Sequence, residues 1–326
     1  MKNRRRHRFI RPSTRAFVQE GRNIPGYSWF DGLHGYVYAR WTYLYIGIGT
    51  GEHPIARMFR PLVHAIENVL ARRGNRHARR ENQDGMSDGS VGKGKVTFAD
   101  GYHGKVVPLA AAEQLVTLDK EIRLTDLEHV IPYATARDII LKNPDHIVVL
   151  DCPCRVVRKN PCLPLDVCLV IGQPFADFVI EHHPNRSRRI SQEEAVDILR
   201  AEHDRGHVHH AFFKDAMLGR FYAICNCCEC CCGAMQAHRN GTPMLASSGY
   251  VARLHADTCT GCGTCVETCP FSAIRVEDDL PCVNADLCMG CGLCVSKCPQ
   301  GALSLQREVS KGTPLELKSL LENAEG

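Results

Sequence analysis

The chain has no apolar run long enough to cross a bilayer. Its most apolar stretch, residues 36–49, contains Arg40 and is well short of the roughly 20 residues that a spanning helix needs. The opening MKNRRRHRFIRPSTR leads into no apolar core of a secretory signal, and its Arg pair is no export signal by itself. The expected location is therefore the cytoplasm, a reducing compartment without a membrane span. The common catalytic fingerprints are also missing or out of context. No G-x-G-x-x-G cofactor loop, H-E-x-x-H or facial-triad spacing occurs, and the G-x-S-x-G string at 85–89 falls within the stretch read as a linker, which leaves hydrolase, flavin and nicotinamide readings without support. The glycines of GKGK at 92–95 lack the strand, Lys-Ser/Thr ending and helix of a phosphate loop. His182, His183, His207, His209 and His210 form no ligand motif and are expected at the surface or in loops.

What the chain has in excess is cysteine, 19 in 326 residues. In a reducing compartment such density reads as metal ligation rather than cross-linking. Charge is uneven although the net value is +4. Residues 1–80 hold 16 Lys or Arg against four Asp or Glu, whereas 251–305 hold three against six.

The pattern divides the chain into six segments of an α+β (or α/β) multi-domain protein. Residues 1–25 are a basic arm without hydrophobic periodicity, expected to be a disordered, solvated tail. Residues 26–72 form a small aromatic-rich α/β segment. Within it Gly35–Ile48 alternates as one strand or a pair of strands, its tyrosines and Trp41 reading as core or interface, and Pro54–Arg72 has helical spacing. Residues 73–95 read as a linker, 96–250 as a cysteine-rich central domain, 251–306 as a second cysteine-rich domain and 307–326 as a tail. Short apolar strands are expected at Ile147–Leu150, Val167–Ile171 and Arg220–Ile224, the second followed by a helix through Glu181. Ser191 and Glu194 form a capping box that opens a helix ended by Gly206.

The strongest signal is a 29-residue internal repeat. Cys259, Cys262, Cys265, Cys269 and Pro270 are echoed by Cys288, Cys291, Cys294, Cys298 and Pro299, each set spaced C-x2-C-x2-C-x3-C-P. This is the run of bacterial two-cluster ferredoxins. Three thiolates at x2 intervals on a tight loop can cap three irons of one cube, and Gly261, Gly263, Gly290 and Gly292 permit the backbone this requires. The fourth cysteine, expected to start a short helix, points to the opposite cube. Cys259, Cys262, Cys265 and Cys298 are therefore expected on one [4Fe-4S] cluster, and Cys288, Cys291, Cys294 and Cys269 on the other. With short strands at Ser272–Val276 and Gly301–Leu305, residues 251–306 resemble the pseudo-two-fold β-α-β ferredoxin module. Cys282 is left over and reads as structural.

Ten cysteines remain, in two sets: Cys152, Cys154, Cys162 and Cys168, then Cys225, Cys227, Cys228, Cys230, Cys231 and Cys232. Six thiols in eight residues cannot all face one metal, because neighbouring side chains on extended backbone diverge. Some must serve a different centre. Each set begins where an apolar strand ends, so if those strands are parallel neighbours both loops leave one sheet edge and share a site. One or two further [4Fe-4S] clusters are the preferred reading. Zinc, which usually shows paired C-x2-4-C knuckles, and redox-active thiols or a disulfide are the alternatives.

The stretches Asp151–Arg155 (D-C-P-C-R), Ser191–Ala195 (S-x-E-E-A) and Ile224–Gly233 (I-C-N-C-C-x-C-C-C-G), joined to the C-terminal repeat, make the chain from about residue 120 resemble uncharacterised dicluster iron-sulfur proteins of anaerobes. The resemblance implies metal binding and an anaerobic setting, without a known reaction. The expected function is an electron-transfer protein or subunit with redox protein partners, part of a larger oxidoreductase complex. A reductase whose central cysteine cluster is the catalytic centre, fed by the ferredoxin module, is the alternative. A third reading, nucleic-acid binding through the basic arm, is disfavoured and would require salt-sensitive affinity that disappears with residues 1–25.

Overall fold

The computed structural model describes residues 10–56, 58, 98–125 and 127–325. The expected linker 73–95 and most of the expected helix 54–72 lie outside the described residues; residues 54–56 are helical.

The central domain is built on a sheet of eight strands. In chain order they are β1 (Tyr102–Val106), β2 (Ile122–Leu124), β3 (Ile139–Asp151), β4 (Asp166–Gln173), β5 (Ser187–Ile190), β6 (Val208–Lys214), β7 (Arg220–Cys227) and β8 (Leu245–Ala246). The spatial order is β2-β3-β4-β7-β6-β1-β8, with β5 paired to the second half of β3. All pairings are antiparallel except β1 with β8.

Because successive side chains on a strand point to opposite faces, the sheet sorts its apolar residues into two cores. Val148, Leu150, Cys168, Val170, Phe212 and Ala223 face one side. Val149, Leu169, Ile171, Ala211, Phe213 and Ile224 face the other. The first face is covered by helices α1 (Pro12–Arg22), α2 (Trp29–Arg40) and α3 (Thr42–Gly49) together with Phe175–His182. The second is covered by Leu109–Val116, Gln192–Asp204 and the C-terminal helix Leu317–Glu325.

Two expectations fail at the N-terminal end. Residues 12–22 of the expected disordered arm form α1, which Pro12 at its first turn favours. Phe17 buries its ring against Phe175 and Phe178, with centroids 6.3 and 5.8 Å away. Glu20 accepts a hydrogen bond from Arg220 (2.7 Å) and forms an ion pair with Lys142 (3.0 Å). Gly35–Ile48 is not strand but the end of α2 and most of α3. A capping box decides this locally: Ser28 Oγ accepts from the Asp31 amide at 3.2 Å while Asp31 accepts from the Ser28 amide at 2.8 Å. Aromatic residues on several sides of the two helices hide the helical period.

Other expectations locate three of the sheet's eight strands. The three apolar runs are parts of β3, β4 and β7. Ser191 caps the helix Gln192–Asp204, its Oγ accepting from the Glu194 amide at 3.2 Å, although the Glu194 side chain pairs with Arg188. The five histidines are buried, not at the surface: His209 and His210 lie on β6 and His182 ends a helix, while His183 and His207 lie in the adjoining loops.

In residues 251–306 the order strand–helix–strand occurs twice: β9 (Tyr250–Leu254), Thr264–Thr268, β10 (Ile274–Glu277), then β11 (Leu280–Val283), Leu293–Lys297, β12 (Leu303–Arg307). β9 pairs with β12 and β10 with β11, both antiparallel. Each short helix contains the third cysteine and stops at the fourth, so Cys269 and Cys298 end a helix rather than start one. Beyond β12 the chain returns to the central domain, where Leu315 and Leu317 join the second core and Lys105 donates to the Thr313 carbonyl at 2.8 Å. The expected tail is thus a strap.

Candidate metal centres

β3 and β7 are each antiparallel to β4, hence parallel to one another, but β4 lies between them. They are not the neighbours that the sequence suggests. Their C-terminal ends and the start of β4 nevertheless share one sheet edge, where Leu150, Cys168, Cys225 and His210 stand side by side across four strands. The loops that follow divide the ten central cysteines into two groups.

Six of them, Cys152, Cys154, Cys168, Cys225, Cys227 and Cys232, line a cavity of about 80 Å³, whose wall Cys228 of the other group also touches. Their thiols make a continuous series of contacts: Cys225 with Cys168 (3.9 Å), Cys168 with Cys152, Cys152 with Cys154, Cys154 with Cys232, and Cys232 with Cys227. The Cys154 thiol and burial push Cys152 up to about 12. Six bare thiolates would repel one another in so apolar a space, so thiolate character there requires bound cationic metal. The same cavity is lined by Tyr38, Tyr102 and Tyr222, with the Tyr38 and Tyr222 hydroxyls 2.7 Å apart. Burial pushes the pKa of all three phenols up, so they stay neutral and can donate a proton.

The other four, Cys162, Cys228, Cys230 and Cys231, place their sulfurs within 4.8 Å of one another. Cys230 is exposed and Cys228 and Cys231 are buried. Burial pushes Cys230 up to about 12. Cys231 is lowered: burial raises it, but the Cys162 amide and the neighbouring thiols outweigh that effect.

A buried polar network supports the edge. Arg155 donates to Glu202 (2.6 Å) and to the Asn226 carbonyl (3.1 Å). Glu202 also pairs with His207 at 2.7 Å. Burial alone would raise the Glu202 carboxyl, but hydrogen bonds from His207 and Arg155 hold it below its ordinary range. The Asn226 side chain bridges the Val167 carbonyl (2.8 Å) and His209 (2.6 Å). No sequence motif of their own marks Glu202, Asn226 or the three tyrosines as part of the site. The available signals were Arg155 and Asn226, polar residues set inside cysteine motifs.

In the C-terminal domain Cys259, Cys262, Cys265 and Cys298 line one cavity of about 10 Å³. Cys269, Cys288, Cys291 and Cys294 line another of about 20 Å³. Gly261, Gly263, Gly290 and Gly292 all have positive φ. Cys282 lies on β11 opposite Arg275 and lines neither cavity. Residues 252–300 match the family model of the 4Fe-4S dicluster domain. A protein of Methanosarcina thermophila described as a "probable ferredoxin" is 55% identical over 29 residues, 9% of this chain and 50% of that protein. The chain thus spans about half the length of this relative.

The dicluster domain is docked by its second cysteine loop. Met289 and Leu293 are buried in the core that holds the six-thiol cavity, and Cys291 packs against that core. The Ser248 amide donates to the Met289 carbonyl (3.1 Å) and its hydroxyl to the Gly290 carbonyl (2.7 Å). The first loop faces outward, with Cys262 exposed. No described helix is long and apolar enough to cross a membrane.

Proposed function

We propose that this chain is an iron-sulfur electron-transfer protein or subunit with two ferredoxin-type [4Fe-4S] clusters in residues 251–306 and a further iron-sulfur cluster in the six-thiol cavity. Cys259, Cys262, Cys265 and Cys298 would hold one cube, and Cys288, Cys291, Cys294 and Cys269 the other. Bound there, the cubes supply one-electron carriage. The observation that carries the reading is the presence of three thiol-lined cavities, with the Cys291 loop of one packed on the core that contains the central one. At the outer end the exposed Asp257, Glu267, Glu277, Asp278 and Asp279 suit a redox partner with a basic docking face, within a larger oxidoreductase complex of an anaerobic cytoplasm.

A redox titration followed by low-temperature electron paramagnetic resonance tests this on full-length protein purified without oxygen. Dithionite should generate the signals of two interacting reduced cubes, and Cys262→Ser or Cys291→Ser should remove or alter one each. Absence of any reducible iron in the dicluster domain would overturn the reading.

A second reading is favoured by the tyrosines. Six thiols exceed the four that one cube needs, and three neutral phenols line the same cavity. In that reading the central cluster is the catalytic centre of a reductase, with Tyr38, Tyr102 and Tyr222 holding protons near it. Carbon monoxide that changes the spectrum of the central iron alone would support it; an unchanged spectrum would leave the relay.

A further inference from the structure

The ten central cysteines alternate in allegiance along the chain. Cys152 and Cys154 face the six-thiol cavity, Cys162 does not, and Cys168 does. Cys225 and Cys227 face it, Cys228, Cys230 and Cys231 form the separate cluster, and Cys232 faces it again. Cys228 touches the cavity wall while joining the smaller set.

The smaller set differs in kind from the others. Its four sulfurs lie within 4.8 Å, with Cys162 to Cys230 at 2.8 Å and Cys230 to Cys231 at 3.4 Å. Four thiolates about 2.3 Å from one tetrahedral ion lie about 3.8 Å apart, inside that range. A four-iron cube places iron and sulfide between its cysteines and holds their sulfurs farther apart. The dicluster domain offers the comparison within one chain. Among the described residues its thiol sets do not close to this distance; they surround cavities instead.

The backbone of the small site is held independently of any ion. Arg158 donates to the Cys231 carbonyl (3.1 Å) and to Gln236 (2.7 Å), and Gln236 donates to the Cys230 carbonyl (2.9 Å). The Cys162 amide points to the Cys231 sulfur at 3.5 Å, a hydrogen bond that favours thiolate.

We propose that Cys162, Cys228, Cys230 and Cys231 bind a single tetrahedral divalent ion, separate from every iron-sulfur cluster, and that the ion is zinc. An all-thiolate set suits a soft ion, and zinc outcompetes iron(II) at such ligands. All four positions are taken by protein, which makes the site structural rather than catalytic. Its place explains its use: it ties the loop between Cys154 and Cys168 to the loop between Cys227 and Cys232, the two segments whose flanks supply the central cavity. The ion acts as a positioning staple.

The test is zinc and iron content of the full-length protein after anaerobic purification, with X-ray absorption at the zinc edge. One zinc per chain with four sulfur neighbours at about 2.3 Å is expected. Cys230→Ala should lose the zinc and retain the dicluster signals, and Cys230→His should keep it with three sulfurs and one nitrogen. Absence of zinc from the wild-type protein, one mononuclear iron in its place, or a disulfide between Cys162 and Cys230 under denaturing mass analysis would each overturn the assignment. Loss of several irons in Cys230→Ala with zinc unchanged would also overturn it, by placing the thiol on a cluster.

Discussion

Arg155 and Glu202 form a fully buried ion pair at 2.6 Å, directly behind the turn that carries Cys152 and Cys154. The helix Pro153–Val156 and the helix Gln192–Asp204 come from opposite sides of the sheet edge, and this pair joins them. Removing one partner strands the other charge away from water. Glu202→Ala should therefore cost about 3–5 kcal/mol, whereas Arg155→Met combined with Glu202→Leu should cost much less. Anaerobic urea denaturation of the three proteins checks the ordering; equal losses in the single and double variants would show that charge pairing is not the cause.

Cys168 and Cys225 face each other across the β4–β7 pairing. Serine at either position keeps the volume of the side chain but weakens binding of soft iron. Cys168→Ser should lower the iron bound by the chain while leaving the dicluster signals in place. Loss of those signals as well would mean that the central thiols are not a separate centre.

Gly290 approaches its neighbours more closely than any other residue could. A Cβ there would lie 2.3 Å from both the Ser248 hydroxyl and the Tyr250 carbonyl, and φ is +64°. Gly290→Ala should destabilise the docking of the dicluster domain by about 3 kcal/mol. The measurement is limited proteolysis across residues 247–250, which should become faster. Unchanged protection would refute the docking role of this loop.

His103 supplies a pH test away from the thiols. Burial lowers it to about 4; its Nδ1 lies 3.0 Å from the Ala99 carbonyl and its ring stacks on Tyr133 at 3.8 Å. The unfolded chain takes up the proton near its ordinary value of about 6.5 and the folded chain only near 4. Between these values the unfolded state binds more protons, so stability falls as pH drops through that window. In full this is about 3 kcal/mol. His103→Phe, which keeps the stack, should make the acid limb of the stability curve shallower. An identical limb in the variant would contradict the assignment.

Sequence periodicity located three of the sheet's eight strands, because β3, β4 and β7 are buried on both faces and read as plain apolar runs; it passed over β1, β2, β5, β6 and β8. It failed for α2 and α3, where aromatic residues on several sides erased the helical stripe and a short capping box carried the decision. It also failed for α1, whose anchor is one phenylalanine within a basic stretch. The repeat could be read directly because its loops fix cysteine spacing locally. The division of the central thiols could not, since it depends on β4 lying between β3 and β7. That long-range pairing separates Cys227 and Cys232 from the three cysteines enclosed between them.

The central claim is a cluster in the six-thiol cavity in addition to those of the dicluster domain. The most direct measurement is iron and acid-labile sulfide per chain of anaerobically purified full-length protein, compared with Cys168→Ser and Cys225→Ser. About eight irons belong to two cubes. The account predicts at least about twelve in the wild type, falling toward eight in both variants. Eight in all three proteins would contradict it.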